Sequence, residues 1–281
     1  MSGLTKEQLA TRHLYLGASE IAAVVGLNPW RSAHDIWLAK LQLADEKESV
    51  QSRVGTLVEP VIQQLYCEDM KCEVGHFGSM VHPKHSWLSA TPDFEVFGAP
   101  RVGEIKMVGW RMAHHWTSEE DGVPDYYRTQ GEIQMEVFDA EHCDFAALLG
   151  GTDFRIYRIA RDREMAGMLI DIGAKFWRDH VIARVPPPID GTEGAKRLLR
   201  KIYPVNLGPM KSADADAERL VTELLGLDGR DARRLELENK LKDAIRDAEG
   251  LVGDGWSVTF RANKKGVRSL RWKHKKEQAA A

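Results

Sequence analysis

ATPDFEVFGAPRVGEIKMV, residues 90–108, is the stretch on which the reading of this chain turns. Pro92-Asp93 is followed by ten residues and then by Glu104-Ile105-Lys106. Gly98-Ala99-Pro100 is turn chemistry, so WLSATPDFEV (87–96) and RVGEIKMV (101–108) predict an antiparallel pair of strands. Side chains alternate faces along a strand, which puts Glu104 and Lys106 on one face and sends Ile105 into the core. Antiparallel pairing brings Asp93 beside Glu104, giving two carboxylates and one ammonium at one edge of a sheet. Neighbouring carboxylates repel unless something positive binds between them. Hard oxygen donors favour Mg2+ or Mn2+. Such an ion lowers the pKa of a bound water and neutralises charge on a phosphoryl oxygen, and a lysine can orient the water and stabilise the charged transition state. The set suits phosphodiester hydrolysis. Taken alone, it also describes a solvated hairpin face with a Glu–Lys pair, so the surroundings decide.

Working outward, residues 50–70 read as one helix with Val54, Leu57, Val58, Val61, Ile62 and Leu65 on an apolar stripe. Glu59 sits just off that stripe. Residues 125–138 read as a second helix, carrying Tyr127 and Gln130. CDFAALL, Gly150-Gly151 and DFRIYRI read as another hairpin. A helix over about 162–182 follows, with Met165, Leu169, Ile172 and Phe176 as a core stripe. Nearer the start, Thr5 with Gln8 fits a capping box and Ser32 with Asp35 resembles one, while Ser19 is a candidate N-cap for the helix that ends at Gly26. Pro186-Pro187-Pro188 and Asp190-Gly191 mark a boundary, so the expected division is 1–188 and 189–281.

The 281 residues are 43% hydrophobic and 29% charged, a globular composition that excludes a mostly disordered chain. No segment approaches the ~20 apolar residues that span a bilayer, and the start lacks the apolar core of a secretory signal. A cytoplasmic protein with no membrane partner is the expectation. Three cysteines offer neither a disulfide framework nor a four-thiolate metal site. The net charge of -3 gives no hint of nucleic acid. It conceals an uneven distribution: eleven acids and eight bases in 211–250, then eight bases and no acid in 261–276. An acidic exterior around a basic channel would suit an enzyme that encloses DNA.

RHLYLGAS, GLNPWRSAHDIWLAK, GTLVEP, SATPDF, GEIKMV, YYRTQ and LLGGTDFRIYRI occur in that order between residues 12 and 159, within a resemblance that runs over roughly residues 12–183. In this the chain resembles the YqaJ-type viral recombinases, relatives of phage lambda exonuclease in the PD-(D/E)XK nuclease superfamily. The resemblance implies an α/β fold: a restriction-endonuclease-like mixed sheet flanked by helices, here with a C-terminal helical and β extension. It implies metal ligation by Asp93, Glu104 and the main-chain carbonyl of Ile105. Glu59 would help hold metal-bound waters or a second ion, Lys106 is the catalytic lysine, and Gln130 supports the lysine and the water. Arg12, Ser19 and Thr91 match a pocket for a terminal 5′ phosphate, and Tyr127 is placed with them as a DNA-binding residue. A phosphate suits a helix N-terminus and a guanidinium. Two departures stand out: Glu132 where family members often have glutamine, and Phe94 where a glycine often follows Pro-Asp.

The activity so implied is a Mg2+-dependent exonuclease, using one or two ions, that digests duplex DNA from 5′-phosphorylated ends and leaves a 3′ single strand. A single-strand annealing protein is the implied partner, and a ring trimer the implied assembly. The competing readings are an endonuclease on the same core and a non-catalytic DNA-binding recombination scaffold. Among other residues, adjacent His114 and His115 diverge by about 100° on a helix, which disfavours a shared metal. His82 and His85 read as surface residues. Cys67 and Cys72 read as idle thiols, and Trp30 and Trp37 as packing, with base stacking the alternative for the tryptophans. The basic segment 261–276, with Trp256, Phe260 and Trp272, reads as a DNA or partner contact rather than a solubilising hairpin.

Overall fold

In the computed structural model, which describes residues 11–44, 49–117, 119, 122–227, 233–263 and 266–274, the strand bearing Glu104 and Lys106 is the middle of a five-stranded sheet. The strands of the first unit are β1 (Leu16–Gly17), β2 (Val74–Gly75), β3 (Met80–Val81), β4 (Leu88–Ala90), β5 (Phe94–Val96), β6 (Arg101–Val108), β7 (His142–Leu149) and β8 (Asp153–Ala160). The main sheet runs β2-β5-β6-β7-β8, with β6 and β7 parallel and the other neighbours antiparallel. A smaller sheet, β1-β4-β3, pairs Leu16 with Leu88 and Gly17 with Ser89 in parallel. The stretch 87–96 is therefore not one strand. It breaks at Thr91-Pro92-Asp93, where proline has no N–H to give to a ladder, and its two halves serve different sheets.

Helices cover both faces: α1 (Ala18–Val24), α2 (Ala33–Lys40), α3 (Val50–Met70), α4 (Asp125–Phe138) and α5 (Arg163–Phe176), the last continued by a π-helical turn, Trp177–Ile182. On one face, Ile62 and Tyr66 of α3 pack with Phe94, Val96, Ile105 and Ala146. On the other, Met135 of α4 joins Val102, Cys143, Phe145 and Ile159. Gly131 allows the close approach of α4, since a Cβ there would lie 3.0 Å from Ile159 and Phe145. The apolar stripe expected on α3 is only partly internal: Ile62 and Tyr66 are buried, whereas Leu57 and Val61 are exposed. On α5 the buried residues are Ala166, Leu169, Ile170, Gly173 and Phe176, and Ile172 is exposed. Both stripes were drawn slightly too far round the helix.

The N-cap of α1 is Gly17, not Ser19, and Glu20 accepts the Gly17 N–H (2.9 Å). Ser32 does cap α2, with Asp35 accepting its N–H at 2.9 Å. The Thr5–Gln8 pair lies outside the described residues. His82 is buried, not superficial; its Nδ1 accepts the N–H groups of Lys84 and His85. Trp37 is buried and donates to the His180 carbonyl, but Trp30 is 52% exposed, edge-on to Tyr126.

The chain divides into two compact units, Met1–Pro186 and Pro187–Ala281. The second holds α6 (Glu193–Ile202), α7 (Ala215–Gly226), α8 (Arg233–Ile245) and a sheet ordered β12-β11-β10-β9. Its strands are β9 (Lys211–Ser212), β10 (Gly250–Val252), β11 (Trp256–Ala262) and β12 (Arg268–His274). Leu224, Leu237, Leu241 and Ile245 pack with Trp256, Val258 and Phe260. Arg268, counted in the basic run, points inward. Its guanidinium donates to the carbonyls of Phe260 (2.7 Å), Tyr203 (3.2 Å), Arg246 (2.7 Å) and Ala248 (2.6 Å). Arg271 and Lys273 are exposed, and Lys264, Lys265, Lys275 and Lys276 fall outside the described residues. No helix among the described residues is long and apolar enough to cross a membrane.

Candidate active site

Asp93 reaches β6 through a local irregularity. Phe94 is in register with Gly103, and the Asp93 N–H donates to the same Gly103 carbonyl at 2.9 Å. Two consecutive residues thus meet one partner, the arrangement of a β-bulge, which re-aims a side chain. The Asp93 carboxylate turns onto β6 and accepts the Ile105 N–H at 2.7 Å. The N–H and C=O of one strand residue face the same side, so the Ile105 carbonyl opens toward Asp93. The bulge needs Gly103: a Cβ there would lie 2.1 Å from the Phe94 ring. Phe94, the departure from the family pattern, starts β5 and buries its ring against Tyr66 at 4.6 Å.

On the opposite face of β6 from Ile105, Glu104 is almost fully buried and Lys106 is half-buried. The Lys106 ammonium donates to Glu104 Oε2 (2.5 Å) and to Gln130 Oε1 (3.4 Å), and lies 4.8 Å from the centre of the Tyr127 ring. Gln134, one helical turn beyond Gln130 on α4, donates to Glu104 Oε1. Sequence reasoning passed over Gln134; its signal was the i, i+4 spacing from Gln130.

Burial raises the Asp93 carboxyl well above the ordinary carboxylate range. The charge of Glu104 adds to the rise, Lys106 and the Ile105 N–H oppose it, and Glu59 contributes a further increase. Burial pulls the Lys106 ammonium down, but Glu104, Tyr127 and Asp93 more than offset this and hold it protonated. Glu59 comes from α3, three residues before buried Ile62 and seven before Tyr66, on the face turned to the sheet. That face is pinned by Asp144 of β7, a buried carboxylate that accepts from Tyr66 (2.6 Å), Arg101 (3.3 Å) and Arg158 (2.7 and 2.9 Å).

Among the described residues no group of three or more His, Cys, Asp and Glu side chains forms a closed metal cage. Magnesium does not demand one: it takes one or two carboxylates and keeps several waters. The crowding that raises Asp93 is the repulsion a dication would relieve. Asp93, Glu104 and the Ile105 carbonyl therefore fit that ion by donor chemistry.

The phosphate-pocket candidates converge less tightly. Parallel pairing of β1 with β4 carries both chains out of the ladder at one end, with Ser19 and Thr91 each two residues beyond the Gly17–Ser89 pair. Ser19 is exposed, and the Thr91 hydroxyl bonds the Ser79 hydroxyl at 2.6 Å. Arg12 pairs with Glu20, the residue after Ser19, at 3.6 Å, rather than with Ser19 or Thr91 themselves. His114 and His115 are exposed, with ring centres 4.1 Å apart. Glu132 is turned away from Lys106; its Oε2 accepts the Asp162 N–H at 2.9 Å.

Over 259 residues the chain is 27% identical to the uncharacterized protein YqaJ of Bacillus subtilis (strain 168), covering 88% of this chain and 81% of that protein. Among solved structures it is similar to the alkaline exonuclease LHK-Exo of Laribacter hongkongensis (TM-score 0.54, 22% identity). The match covers 64% of this chain and 94% of that one. The structure of LHK-Exo in complex with dAMP matches with the same coverage, at TM-score 0.55 and 23% identity. The fold is thus a mixed α/β fold similar to that of this exonuclease. Residues 7–141 match the model of the YqaJ-like viral recombinase domain.

Proposed function

We propose that this chain is a Mg2+-dependent deoxyribonuclease that digests duplex DNA from 5′-phosphorylated ends and leaves a 3′ single strand. The observation that carries the reading is the convergence of Asp93, Glu104 and Lys106 with Gln130 on the middle strand of the main sheet, just beyond the end of β5. The likeness to an alkaline exonuclease supports hydrolysis from an end. Mg2+ bound by Asp93, Glu104 and the Ile105 carbonyl would supply an acidified water and offset phosphoryl charge. The protein's own share is positional. Gln134 and Lys106 fix the Glu104 carboxylate, and Lys106, held cationic, faces the charge that develops on the phosphate. Gln130 holds the lysine, and Arg12, Ser19 and Thr91 receive the terminal phosphate. A single-strand annealing protein as partner and a ring of subunits around DNA belong to the same proposal.

The test is Mg2+-dependent nucleotide release from linear duplex carrying strand-specific end labels. Asp93→Ala and Lys106→Ala should each abolish release while circular dichroism stays unchanged; full activity in either would sink the mechanism. Arg12→Ala should erase any preference for a 5′ phosphate over a 5′ hydroxyl. Cleavage of covalently closed circles would favour an endonuclease, and tight DNA binding without turnover a scaffold.

A further inference from the structure

Arg12 is held by a buried pair that the proposed reaction does not use. Glu20 and Lys40 each have side chains only 1% exposed and lie 2.5 Å apart. Glu20 is the hub: besides Lys40 it takes the Arg12 guanidinium at 3.6 Å and the Gly17 N–H at 2.9 Å. Lys40 also donates to the Arg12 main-chain carbonyl at 2.9 Å, so both ends of Arg12 are tied to one pair. The Arg12 side chain remains 37% exposed. A carboxylate beside an arginine meant for phosphate is a liability, because it competes for the guanidinium and repels the phosphate. The buried lysine cancels that charge. Burial pulls the Lys40 ammonium down while Glu20 holds it up, and Arg12 and Arg31 both press it lower, which marks the cluster as rich in positive charge.

We propose that the Glu20–Lys40 pair is a positioning device for Arg12. Glu20 fixes the guanidinium, and Lys40 neutralises Glu20 so that the pocket keeps its net positive charge for a phosphate monoester. The proposal rests on the end-binding reading above. The chemistry is a balance of charges: a buried ion pair that loses one partner leaves the other uncompensated, whereas replacing both by neutral groups of similar volume is tolerated.

The experiment uses the full chain and reads the ratio of kcat/KM on 5′-phosphorylated over 5′-hydroxyl duplex ends. Lys40→Met should lower the ratio by about tenfold, the worth of one charge-assisted contact. The doubly neutral Glu20→Gln/Lys40→Met keeps an acceptor for Arg12 and should restore the ratio to within about threefold of the parent. Glu20→Leu/Lys40→Met is equally neutral but has no acceptor, and should lose the ratio as Arg12→Ala does. If Lys40→Met alone fails to fold, the two double variants decide. Equal, parent-like ratios in both doubles overturn the positioning role, provided Arg12→Ala erases the preference. If Arg12→Ala leaves the preference intact, the end-binding reading itself fails and this proposal falls with it.

Discussion

Glu104 has both oxygens committed, one to Lys106 and one to Gln134. Outer partners of this kind orient a ligand, and losing one typically costs about 10–100-fold in metal affinity or activity. Under the proposed Mg2+-dependent hydrolysis, Gln134→Ala should raise the Mg2+ concentration needed for half-maximal rate by that factor, read from a Mg2+ titration. A second residue-scale prediction concerns pH. Burial pushes the Glu132 carboxyl above its ordinary range, although Arg128 and Arg161 lie near, and among the described residues its Oε1 has no hydrogen-bond partner. A carboxyl that binds its proton more tightly in the folded chain contributes full stability below its unfolded value. That stability is lost as pH rises through the folded value. Glu132→Gln should thus be more stable than the parent at neutral pH by about 1–3 kcal/mol. Melting curves should show the gap closing toward about pH 4. The residues with chemistry at strand spacing were legible in the sequence, because alternation fixes which side chains share a face. Glu20 and Lys40 were not, because a supporting contact between distant elements leaves no local pattern, and Gln134 left only its helical spacing from Gln130, with nothing that tied it to Glu104.

At the scale of elements, the expected hairpin was right in its second strand and wrong in its first. Turn chemistry at Gly98-Ala99-Pro100 predicted the pairing of β5 with β6, but the apolar run 87–96 hid a change of sheet at Pro92. The bulge that follows could not be read either, since it depends on Phe94 fitting over Gly103. Gly103→Ala should cost about 1–3 kcal/mol through overpacking. Phe94→Ala should cost about 3–5 kcal/mol through the cavity it leaves. The two should combine to less than their sum, because the shorter residue 94 vacates the space the new methyl needs. Chemical denaturation of the four proteins in the cycle gives the coupling, and strict additivity would show that the ring and the glycine are independent.

For the whole molecule, the second unit has its own core and its own pin in Arg268. Calorimetry should resolve more than one transition, since independently cored units need not melt as one. Arg268→Ala removes the donor to four carbonyls, at about 1–3 kcal/mol for each one left buried and unpaired. It should lower one transition and leave the other in place. The basic run 261–276 illustrates what composition cannot separate: Arg268 binds its own backbone, Arg261 bonds Glu249, and Arg271 and Lys273 face solvent. The pairing of β1 with β4 has a consequence of another kind. Leu16 meets Leu88 across more than seventy residues, and α4, β7 and β8 come later still. Contacts so distant in sequence form late, after the loops between them have closed. On the ribosome, where synthesis runs N-terminus first at about 5–20 residues per second, Arg12 emerges well before β4 and the elements that follow it. Strand β1, which follows Arg12, has to wait for β4 before the two can pair, so chains released early carry Arg12 without the fold that holds it.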